Sequence, residues 1–191
     1  MLSKILVTID PTDASYNALL QASALARSEK SQLLLLSVVP AYNGDLRMMG
    51  RSEVLDEMRL PYKNGLKRAE NTAREFSIPS KAILDEGEPF DELLKQAEIE
   101  NVDLMVIHRN DHHLSERISM GFAEGKVISQ CSRDILVVPE KASLQLDRIL
   151  VAYDKTESSK QALNRAIEFS NAYGSELTIA SAFEVPLEGF S

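Results

Sequence analysis

Cysteine occurs once in this 191-residue chain, histidine three times, and no apolar run exceeds the length of a strand. A single thiol, Cys131, excludes an intramolecular disulfide framework and fits a reducing compartment. Taken alone it reads as a buried structural cysteine before it reads as a nucleophile. The short apolar runs leave no candidate membrane span, and no signal-peptide pattern is read at the N-terminus, which points to the cytoplasm. Positive charge is in deficit as well: the formal net charge is −8, so attraction to a phosphate backbone has no visible source and nucleic acid is excluded as an expected partner. Catalytic signatures are missing too. There is no nucleophile elbow, no G-K-[ST] phosphate loop and no paired-carboxylate context for the scattered acids, so no enzyme is expected. What the chain does have is 44% hydrophobic residues, enough for a packed core and too many for a disordered segment.

The organising stretch is KILVTIDPTDAS, Lys4 to Ser15: a hydrophobic strand ending on Asp10, a turn, and a helix start near Ala14 or Ser15. It returns as RILVAYDKTESS, Arg148 to Ser159, with Asp154 standing 144 positions after Asp10. At that offset Ile5, Leu6, Val7, Thr12, Ser15, Ala18, Leu19 and Ala22 all meet identical residues, so the chain holds two copies of one unit. The first copy alternates strands and helices. Strands are predicted at Ile5–Ile9, Gln32–Val39, Lys81–Asp85, Leu104–Ile107 and Asp134–Pro139. The helices between them are predicted over Tyr16–Glu29, Glu53–Phe76 (with a possible break at Pro61), Phe90–Glu100 and Gly121–Gln130. Strands separated by helices throughout predict a parallel, doubly wound sheet in the α/β class. Ala41 to Arg51 carries two glycines and no period, and reads as a connection beyond a strand's carboxyl end, either a lid or a plain loop. The division expected is a complete unit over 1–141, a linker over 142–147, and a strand–helix–strand second unit over 148–191. Such a fragment leaves sheet faces uncovered, so it is expected to pack on another surface or, preferably, to be part of a longer tandem chain.

These words, in this order, resemble the universal stress protein family: KILVTIDPTDAS at the first strand, LLLLSVVP at the second, EGEPFDELLKQAEIENVDLMVI through the third helix and fourth strand, and GFAEGKVISQCSRDILVVP at the end. The VTIDP word is similar to tandem members of the UspE type. The resemblance implies a five-stranded parallel sheet of order 3-2-1-4-5, a Rossmann-like fold of the adenine nucleotide alpha hydrolase-like kind, with pairing through the last strand as a homodimer or as a pseudo-dimer of tandem units. It also implies that Asp10 and Val38 stand where the family holds the adenosine end of an adenine nucleotide, and that Asp10 and His108 face one another across the crevice between strands 1 and 4.

The family's phosphate loop has the form G-x2-G-x9-G-[ST], in which glycines let backbone N–H groups approach anionic oxygens at a helix start. Laid on this chain, Gly121 keeps the third glycine, while His108, Asp111 and Phe122 replace the other positions. Asp111 sets negative charge against a polyphosphate, a repulsion on the order of a few kcal/mol at an effective dielectric near 20, or about a hundredfold in affinity. Tight ATP binding is therefore not expected, and an adenine nucleotide is expected to bind weakly if at all. Two bland readings stand beside these: an aspartate before Pro-Thr-Asp also serves as a turn residue and helix cap, and a valine at position 38 suits any buried strand.

The run His108-Arg109-Asn110-Asp111-His112-His113 reads as a loop. Its imidazoles and carboxylate are ligands suited to zinc or nickel, but the contiguous sequence guarantees no ligand geometry. Arg109 with protonatable histidines also suits a small anion or phosphorylated ligand. A solvated or partner-facing loop is preferred, and no metal residue is assigned. The function expected is that of a cytoplasmic stress-response binding or regulatory module with a degenerate phosphate loop. The alternatives are a nucleotide-binding member using an altered loop, for an adenine or sugar nucleotide, and a metal sensor acting through His108–His113.

Overall fold

The computed structural model describes residues 2–41, 51–109 and 127–182, and the chain divides into two compact units, Met1–Ser143 and Leu144–Ser191. The first unit holds β1 (Lys4–Thr8), α1 (Asp13–Glu29), β2 (Gln32–Pro40), α2 (Arg51–Glu75), β3 (Ser80–Gly87), α3 (Pro89–Ile99), β4 (Leu104–Arg109) and β5 (Asp134–Pro139). Residues 127–130 are helical. Its five strands form one sheet of order β3-β2-β1-β4-β5, and every pairing is parallel. The predicted strand order is the observed one.

β1 lies at the centre and is sealed on both faces. Ile5, Leu6 and Val7 are each fully buried, as strands with helices above and below must be. Leu6 joins Leu34, Leu36 and Met105 in a cluster closed by Leu93 and Ala97 of α3 and by Val127. Ile5 and Val7 alternate to the opposite face, where α1 packs over β1, β4 and β5, and α2 over β2 and β3. The alanines of α1 explain the close fit: Ala18, Ala22 and Ala26 are buried and let the helix lie against the sheet. Burying each leucine of these clusters contributes about 1.5–3 kcal/mol before entropy is charged.

Of the element ends that differ from the sequence expectation, those of α1 and β4 have a local reason, and α2 lacks the break considered at Pro61. α1 begins at Asp13 because the Thr12 hydroxyl accepts the Ser15 N–H at 3.1 Å and caps the helix. α2 runs unbroken through Pro61. β4 continues two residues further than the apolar run, because its ladder with β5 extends through His108↔Val138 and Arg109↔Pro139. His108 is thus a strand residue, where the sequence pattern places it in a loop.

The second unit consists of β6 (Arg148–Ala152), α4 (Glu157–Tyr173) and β7 (Glu176–Ala180), with β6 and β7 paired in parallel. Thr156 caps α4 as Thr12 caps α1, accepting the Ser159 N–H at 3.2 Å.

Candidate functional site

Strand order reverses between β1 and β4, and in an open parallel sheet the crevice at that point, beyond the carboxyl ends of the strands, is where ligands are received. β1 delivers Asp10 to this place and β4 delivers His108. Their side chains meet: His108 Nε2 stands 3.0 Å from Asp10 Oδ2, with 16% of the histidine side chain and 30% of the aspartate side chain exposed. The other carboxylate oxygen is committed locally. Asp10 Oδ1 accepts the Thr12 N–H at 2.9 Å and the Thr12 hydroxyl at 2.6 Å. The Asp10 N–H donates in turn to the Ser15 hydroxyl at 3.0 Å, and that hydroxyl donates to the Thr8 carbonyl at 3.2 Å.

This settles how the turn is built. The helix cap is Thr12, and Asp10 orients the cap from two residues upstream. Thr12 and Ser15 were legible as repeat-matched positions, because Thr156 and Ser159 return with them. Burial pushes the Asp10 carboxyl up, but the His108 imidazole and the hydroxyl and amide of Thr12 outweigh it and hold the carboxyl below its usual value. Hydrogen bonds to a charged group of this kind are worth about 1.5–3 kcal/mol net.

α2 forms a further wall, which no motif or spacing in the chain announces. Gly65 passes so close that a β-carbon there would stand 3.4 Å from the Asp10 carbonyl oxygen. One turn earlier on the same helix, burial and then the charge of Asp10 push the Tyr62 phenol up. One turn later, the Arg68 guanidinium lies 3.6 Å over the ring of Tyr16 from α1, clamping the two helices beside the crevice.

The remaining sequence candidates are distributed as follows. Val38 is half-buried against the α3-side core cluster. By extension of the Thr8↔Leu36 register it stands level with Asp10. Arg109 is exposed and follows His108 as the last residue of β4, paired with Pro139 of β5. Gly121, Asp111, His112, His113 and Phe122 lie outside the described residues, as does most of the stretch read as a lid. Among the described residues no three of His, Cys, Asp and Glu converge on a point that could hold a metal ion. Cys131 is half-buried against the core, and its sulfur accepts the Arg133 N–H at 3.2 Å.

Chemically the pair is an aspartate orienting an imidazole. The second ring nitrogen, His108 Nδ1, is buried and has no hydrogen-bond partner among the described residues, so no described hydroxyl or thiol is positioned for activation by it.

A family model described as the universal stress protein family matches residues 1–139 and again 145–190. The chain belongs to the universal stress protein family. It is 29% identical over 147 residues to the universal stress protein YxiE of Bacillus subtilis, a match covering 72% of this chain and 99% of that one. A universal stress protein structure from Archaeoglobus fulgidus aligns with a TM-score of 0.77 at 19% identity, covering 97% of this chain and 68% of that one. An Arabidopsis thaliana family member with AMP bound aligns with a TM-score of 0.54 at 16% identity, over 73% of this chain and 93% of that one. The two structural similarities show the shared fold. The double match of the family model coincides with the internal repeat, and in its first copy the universal stress protein sheet places Asp10 and His108 at the topological switch point. No helix among the described residues is long and apolar enough to cross a membrane.

Proposed function

We propose that this universal stress protein is a cytoplasmic, non-catalytic binding and regulatory module. Its first unit receives an adenine mononucleotide at the β1–β4 crevice and has lost the subsite for a triphosphate. The observation that carries this reading is the contact between His108 and Asp10 at 3.0 Å. It fills the crevice at the position where the family's phosphate loop calls for a bare glycine, while leaving Asp10 in place for a nucleoside. The AMP-bound Arabidopsis thaliana structure of the same fold supports the ligand class. The reading of no catalysis is supported by His108 Nδ1, beside which no hydroxyl or thiol stands within hydrogen-bond distance among the described residues. Pairing with a second unit through β5, the outer strand of the sheet beside β4, belongs to the same reading.

Isothermal titration of the chain with AMP and with ATP tests it. AMP is expected to bind in the range of tens to hundreds of micromolar, with ATP no tighter, since the extra phosphates find no cradle. ATP binding tenfold or more tighter than AMP would overturn the reading.

A further inference from the structure

We propose that His108 is a built-in competitor for Asp10: its imidazole holds one acceptor site of the oxygen that the turn leaves open, so that a ligand engages that oxygen in rivalry with it. The inference rests on the crevice reading above and goes beyond it, because it assigns a ligand-opposing role to a residue of this chain. Asp10 has two acceptor oxygens. Oδ1 is consumed by the turn, with Thr12 donating from both its N–H and its hydroxyl. Oδ2 is the one that remains for a ligand, and His108 Nε2 holds one of its two acceptor sites.

The second unit shows that the turn itself has no need of a histidine. Asp154 makes the same pair of bonds to Thr156, at 3.0 and 2.6 Å, and the same cap forms on Ser159, in an exposed setting. His108 is therefore not a part of the turn that the fold requires. It is an added contact reaching from β4, and it occupies one of the two acceptor sites of the oxygen that the turn leaves open. Among the described residues the groups around the pair offer His108 no substitute partner: Thr12 is bonded to Asp10 Oδ1, Val138 stands beside His108 in the ladder and is apolar, and Nδ1 has no hydrogen bond. Displacing the imidazole thus leaves a polar ring to be resolvated or rebonded, and that cost is subtracted from the ligand's affinity. In this account His108 is a positioning residue that sets how available Asp10 is.

The test is isothermal titration of AMP into the full chain and its His108→Ala, His108→Gln and Asp10→Asn variants. A ¹³C titration of the Asp10 carboxyl in the unliganded wild type and His108→Ala accompanies it. Removing the imidazole is expected to tighten AMP about tenfold, a coupling within the usual range between linked sites. His108→Gln, which keeps a donor at the reach of Nε2, is expected to stay within about threefold of the wild type. Asp10→Asn is expected to lose binding. The Asp10 carboxyl is expected to titrate higher once His108 is gone, which a filler residue would not produce. Equal or weaker AMP binding by His108→Ala, with wild-type binding intact, overturns the competitor role and leaves the crevice reading standing. Equal tightening by His108→Ala and His108→Gln overturns it too, since bulk relief and not competition for an oxygen would be the cause. If no variant and no wild-type chain binds AMP at millimolar concentration, the crevice reading falls and the competitor role falls with it.

Discussion

The two copies of the repeat agree in hydrogen bonds far more closely than in burial. At the shared offset of 144 positions, Ile9 N–H donates to the Leu36 carbonyl and Tyr153 N–H to that of Ala180. Gln32 pairs with Ser3 as Glu176 pairs with Asp147, and the hydroxyls of Ser31 and Ser175 donate to the Leu2 and Leu146 carbonyls. The strand–cap–helix–strand unit is thus a local object, specified by its own backbone partners. Burial is another matter. Leu6, Leu34 and Leu36 are at most 1% exposed in the first unit, whereas their counterparts Leu150, Thr178 and Ala180 are all exposed, Leu150 by 71%. In the first unit that face is closed by Leu93, Ala97 and Val127. A leucine at the same repeat position is core in one copy and surface in the other, so core membership is conferred by the covering helices and not by the strand.

The sharpest way to break this comparison is to truncate the same leucine in both copies. Leu6→Ala removes a fully buried side chain and leaves a cavity, and is expected to cost about 3 kcal/mol. Leu150→Ala removes an exposed one, which lines an open groove with Thr178, and is expected to shift stability by no more than about 0.5 kcal/mol. Chemical denaturation of the two variants checks the pair. Comparable losses would mean that the Leu150 face is covered in solution.

A smaller effect is expected at the helix ends, where the copies carry different residues at the left-handed cap. α1 closes on Lys30 at φ 60° and α4 on Gly174 at φ 70°, both left-handed, and both ends carry the same return bond, Ser31 to Ala26 and Ser175 to Ser170. Only glycine takes that conformation without a β-carbon penalty, so the first copy carries strain that the second avoids. Gly174→Lys is expected to cost about 1 kcal/mol, read as faster amide exchange in the last turn of α4. Lys30→Gly is expected to slow exchange at the end of α1 slightly, since relief of strain is partly offset by the entropy of the unfolded glycine.

The sequence carried the fold well because period and punctuation agree over most of it. The apolar runs at Ile5–Ile9 and Gln32–Val39 have no helical alternative of sufficient length, and the repeat fixes the turn after each first strand. Strand ends were less legible: β4 ends on His108 and Arg109, whose polar side chains look like loop although the backbone ladder to β5 continues beneath them. The site was legible in one half. An acid at a strand end, repeated at Asp154, was visible as a pattern, and its opposition to His108 followed from the strand order that the family resemblance supplied. The wall from α2 was invisible, since Tyr62 and Gly65 reach Asp10 through the packing of a 25-residue helix and no spacing in the chain announces it.

The finest test sets the two aspartates against each other in acid. Asp154 is fully exposed, and the hydroxyl and amide of Thr156 with the Ser159 hydroxyl lower its carboxyl to about 2. The Asp10 carboxyl is also lowered, but burial works against it and His108 must help to overcome that opposition. A carboxyl whose folded value lies below its unfolded value, near 3.9, stabilises the fold above that unfolded value. The contribution is lost as pH falls through the folded one. For Asp154 the window runs from about 4 down to about 2, so its turn is expected to persist through mild acid. Carboxyl ¹³C titrations of wild type and His108→Ala separate the copies: the substitution is expected to raise the Asp10 midpoint and to leave the Asp154 midpoint where it is. If both midpoints move, the two turns are not the independent local objects that their matching hydrogen bonds describe. If neither moves, the lowering of Asp10 comes from Thr12 alone and the histidine contact adds nothing to it.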